Sequence, residues 1–123
     1  MKAGAAAVAL ALLASATQAA EFQRLHGREI GARLSGMEMT DRVHWGLVFH
    51  KDGRLTAAEL GGRITAVSRA EESGTWRVRG DEVCLDLAGA GPRCSEVWSA
   101  GASVQLRRDG EPSRDGTLQS PRR

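Results

Sequence analysis

His44 and His50, Cys84 and Cys94, and a scatter of carboxylates are the side chains here with metal-binding or reactive chemistry. A metal ion needs several such groups converging on one point. His44 and His50 share one alternating stretch, Val43-His44-Trp45-Gly46-Leu47-Val48-Phe49-His50. A strand advances about 3.3 Å per residue, so the two imidazoles fall about 20 Å apart and cannot hold one ion. His26 has no neighbour in sequence that completes a site. No metal and no other cofactor is implied. A serine nucleophile calls for a Gly-x-Ser-x-Gly turn, which the chain lacks; Ser35 before Gly36 reads as a helix end. Glu38, Asp41, Glu59 and Asp86 have no spacing that pairs two of them as acid and base. Gly61-Gly62 lacks the lysine and the helix of a phosphate-binding loop. No residue is expected to be catalytic.

Cys84 and Cys94 are the only cysteines, and their spacing is not Cys-x-x-Cys. They lie symmetrically about Gly89, so two antiparallel strands joined there would bring them face to face. A disulfide across that pair closes a loop of about ten residues and contributes about 2 to 3 kcal/mol. Trp98 follows Val97, and the two must point to opposite sides of one strand. An exposed Trp98 flanked by Arg93 and Arg107 would form an interaction surface; a buried one would be core. Trp45 and Trp76 fall on apolar faces and read as core.

The elements that must position these side chains follow from periodicity. Ile30, Leu34 and Met37 recur at helical spacing, which predicts a short amphipathic helix over 27–35, ending at Gly36. The period then becomes strand-like. Val43 to His50, an Asp52-Gly53 turn and Arg54 to Leu60 predict a hairpin. Ile64 to Ser68 could add a short strand, and Arg69 to Ser73 is polar. Thr75–Arg79, Glu82–Leu87, Arg93–Ser99 and Ser103–Arg107 follow as strands separated by Gly-rich turns. The expected fold is mainly β. A short N-terminal helix packs on an antiparallel meander of about six or seven strands, as an open sheet or a partly closed barrel. One domain over 21–110 is expected, with a flexible polar tail over 111–123. Arg114, Arg122 and Arg123 make that tail basic, which reads as solubility, with weak contact with an anionic surface as the alternative.

Residues 1–20 have the form of a secretory signal peptide. Lys2 is followed by the apolar run Ala5 to Ala14 and by a small-residue exit at Ala19 or Ala20. The run is shorter than the roughly twenty residues a spanning helix needs, so no stable membrane insertion is expected after cleavage. The expected location is periplasmic or secreted, where a disulfide persists. Removing Lys2 takes the formal charge from +2 to one unit less. So balanced a chain is not expected to bind nucleic acid.

Asp52-Gly53-Arg54, Gly74-Thr75-Trp76-Arg77-Val78, Asp81-Glu82-Val83-Cys84-Leu85, Cys94 and Val97 together resemble small secreted proteobacterial proteins of unknown function. These share an Asp-Gly turn, a Gly-Thr-Trp strand and two cysteines on neighbouring strands. The resemblance spans Asp52 to Leu106 and implies a compact β domain, without an activity or a site residue. A looser similarity, at the level of size, export and one disulfide, is to periplasmic β-barrel protease inhibitors. The functional expectation is a non-enzymatic binding module for a protein or small ligand of the cell envelope. The alternatives are a protease inhibitor, or a small envelope hydrolase using His44 or His50.

Overall fold

The computed structural model describes residues 21–60 and 71–121. The expected signal peptide over 1–20, the expected break at Gly61-Gly62, the strand expected over Ile64–Ser68 and the last two arginines lie outside the described residues.

Nine strands and one helix follow in the order β1 (Gln23–Arg24), α1 (Arg28–Leu34), β2 (Glu38–Thr40), β3 (Trp45–Phe49), β4 (Arg54–Glu59), β5 (Glu71–Arg79), β6 (Glu82–Leu87), β7 (Arg93–Ala100), β8 (Ser103–Arg107) and β9 (Arg114–Gln119). All pairings are antiparallel. Strands β2 to β9 close into an eight-stranded barrel, because β9 pairs with both β8 and β2, and β8 pairs with β7. One edge of β7 is shared. Arg93, Cys94 and Ser95 pair with β6, while Trp98 and Ser99 pair with β1.

Alternation sends one side of every strand inward. Met39, Leu47, Phe49, Leu55, Val83, Val97, Val104, Leu106 and Leu118 form the buried core with Ile30 and Leu34 from α1. The helix is amphipathic as its spacing predicts: Ile30 and Leu34 are fully buried, and Arg28 and Arg33 face solvent. Gly36 follows the helix at φ 77°, a conformation that favours glycine. Trp76 also points inward. It meets Phe49 edge to face at 5.3 Å, and its indole N–H donates to the His50 carbonyl at 2.8 Å.

The two ends of the barrel differ. The turns 50–53, 80–81 and 101–102 lie at one end with α1. Arg33 donates to the Gly101 carbonyl there, and the Gly27 amide donates to Asp81 Oδ1 at 2.9 Å. At the other end lie 41–44, 88–92 and 108–113.

Four expectations need correction. The helix is not the first element, because β1 precedes it; two residues are too short to show a period. The strands number nine among the described residues rather than six or seven. The barrel is closed, where an open sheet or partial closure was expected. The polar end 111–123 contains β9, and its Leu118 enters the core at 7% exposure. β9 presents few apolar residues because Gly116 and Arg114 occupy its other inward positions, so alternation is invisible in sequence.

Candidate barrel-mouth binding site

The end away from α1 opens into a cleft of about 530 Å³. Its walls are inward-facing residues from the ends of the strands. Leu85 and Leu87 come from β6, Leu106 from β8 and Ser95 from β7. Glu72, Arg93, Arg108, Glu111 and Arg114 surround this apolar floor. Ser95 is only 9% exposed and lines the cleft.

The rim charges are arranged unevenly. Glu111 pairs with Arg93 at 3.0 Å and also with Arg108. The hydrogen bond from Arg108 does most to hold its carboxyl below the ordinary glutamate range, and the charge of Arg93 adds to it. Arg114 has no carboxylate within ion-pair distance among the described residues. Its guanidinium lies 4.9 Å from the centre of the Trp45 ring, a cation–π contact. Gly116 makes room for that ring, since a Cβ there would lie 2.9 Å from Trp45 Cη2. Glu72 stands on β5, four strands around the ring from β9, and so on the opposite wall from Arg114. The cationic side of the mouth is therefore β7 to β9.

Asp41 organises the nearby 41–45 loop. Its Oδ1 accepts from the amides of Val43, His44 and Trp45 at 2.9, 2.7 and 3.0 Å, and its Oδ2 meets His44 Nδ1 at 2.9 Å. Burial raises the pKa of this carboxyl, but those hydrogen bonds outweigh it and hold it far below the usual carboxylate range.

The residues singled out by sequence separate into three places. Cys84 and Cys94 are register partners and form a disulfide, as the symmetry about Gly89 predicts. Trp98 and Arg107 meet on the outer wall, with the guanidinium 4.1 Å from the ring centre. Trp98 is half-buried, donates to Glu96 at 2.9 Å, and shares Arg107 with Phe22. Arg93 does not join them. It stands five residues before Trp98 on β7, an odd separation that puts it on the opposite face, at the mouth. His44 lies at the mouth end with Asp41, and His50 lies at the helix end with Thr56 at 2.9 Å. Among the described residues no three potential metal ligands cluster, and no helix is long and apolar enough to cross a membrane.

The mouth residues come from five strands and two loops, and no local motif marks them. In sequence Arg114 reads as a tail charge, and Leu85 and Leu87 read only as part of the Glu82–Leu87 strand. Comparison with family models, curated proteins and solved structures finds no match.

Proposed function

We propose that this chain is an exported, non-enzymatic binding module that holds a small ligand in its barrel mouth. The observation that carries this reading is the asymmetry of the barrel. One end is packed by α1, while the other opens into an apolar-floored cleft with polar groups at its rim. A cleft of this size falls within the roughly 300 to 1,000 Å³ usual for small-molecule sites. The disulfide is compatible with an oxidising compartment outside the cytoplasm.

Native mass spectrometry on protein purified gently from its own envelope fraction tests the reading. A bound mass lost on denaturation is expected. It should also be lost in Ala90→Trp, which places an indole at an exposed position on the rim. A bare chain that stays bare after incubation with envelope extract would overturn it. The denatured mass reads the leader and the disulfide in the same sample.

A further inference from the structure

We infer that the mouth takes a small single-chain amphipathic anion, with its carboxylate or phosphate head on Arg114 and its chain over Leu85, Leu87 and Leu106. This rests on the reading of the barrel as a ligand-binding module and specifies what that ligand is. Three observations converge on it. Arg114 is the rim cation with no ion-pair partner among the described residues, whereas Arg93 and Arg108 are both engaged by Glu111. A guanidinium presents a planar fork of donors that matches a carboxylate or phosphate. Trp45 supports that fork from one face at the mouth and leaves Arg114 exposed to an incoming anion.

Ser95 is the second observation. It is a nine-tenths buried residue whose polar side chain lines the cleft. A hydroxyl in that position can donate to an acidic head or to an ester oxygen near it. The third is the floor, whose three leucines offer nothing to a polar group and suit an alkyl chain. The charges are also placed by side. Arg114 belongs to the cationic β7–β9 arc, and Glu72 faces it from the opposite wall. An anionic head is drawn to one wall and turned away from the other.

The test is a titration of the purified protein with decanoate, decyl phosphate and decanol, followed by tryptophan fluorescence, to which Trp45 beside Arg114 contributes. Both anions should saturate, and decanol should bind about tenfold more weakly for want of one charge-assisted hydrogen bond. Arg114→Gln should bring decanoate down to the level of decanol. Glu72→Gln should tighten both anions, an effect that loss of folding cannot imitate. Arg79→Gln, exposed on β5 and outside the cleft, should change nothing. A preference between decanoate and decyl phosphate separates a fatty-acid-like ligand from a phosphorylated one. Decanol binding as tightly as decanoate, or anion affinity indifferent to both Arg114→Gln and Glu72→Gln, overturns the inference. So does failure of both anions to saturate. The native mass spectrum uses no chosen probe and reads separately whether the module itself still stands.

Discussion

At the scale of single residues, Asp41 gathers the most backbone onto one side chain. Its carboxylate gathers three backbone amides and one imidazole into the loop that leads into Trp45. Its pKa is lower folded than unfolded, so its contribution is fully present above the unfolded value near 4 and is lost as pH falls through the folded value. Asp41→Asn should lower the thermal midpoint at neutral pH. It should also flatten the loss of stability between about pH 5 and pH 2, read from urea denaturation across that range. Asp52 and Glu111 are lowered too, Asp52 chiefly by the Arg54 amide and Glu111 chiefly by the Arg108 side chain. Some acid dependence must therefore survive in the variant. An unchanged acid limb would remove Asp41 from this role. The Asp41-x-x-His44 spacing was visible in sequence, but the three amides were not, because only the loop's own path brings them onto one oxygen.

Among the elements, legibility followed the length and polarity of each strand. The α1 helix, the β3–β4 hairpin and β6 to β8 alternate or repeat clearly, and they lie where the pattern predicts. β5 begins at Glu71, earlier than its apolar residues indicate, because Glu72 faces inward at the rim instead of into the core. β2 is three residues long and β1 two, so neither can show a period. The candidate site was illegible for the same reason: its rim is made of charged residues at strand ends, and only barrel closure joins them. Gly74 explains the Gly-Thr-Trp strand physically. A Cβ on it would stand 2.0 Å from the Asp86 carbonyl oxygen of the neighbouring strand. Gly74→Ala should cost at least about 2 kcal/mol, since backbone must move to admit it. Gly31→Ala is the contrasting case. Its Cβ would rest 3.7 Å from Val78 Cγ2, an ordinary contact, and alanine favours a helix by up to about 1 kcal/mol. It should be neutral or stabilising. Urea midpoints of the two variants check both signs, and a tolerated Gly74→Ala would refute the close approach.

For the whole molecule, closure is the property on which the rest depends. β9 supplies hydrogen bonds to β2 on one side and β8 on the other, and Leu118 joins the core from it. Ending the chain at Ser113 should therefore abolish the cooperative thermal transition seen by circular dichroism, instead of trimming a dispensable tail. A truncated chain that melts cooperatively near the full-length midpoint would show that the ring is not needed. The seam has a further effect, on time. It joins Glu38 to Gln119, side chains 81 positions apart in the chain. Such distant pairing makes for slow folding, because a long loop must close before its contacts repay the lost entropy. No ring can form until synthesis has passed Gln119. Until then β2 and β8 carry open edges, each a template for pairing with another chain.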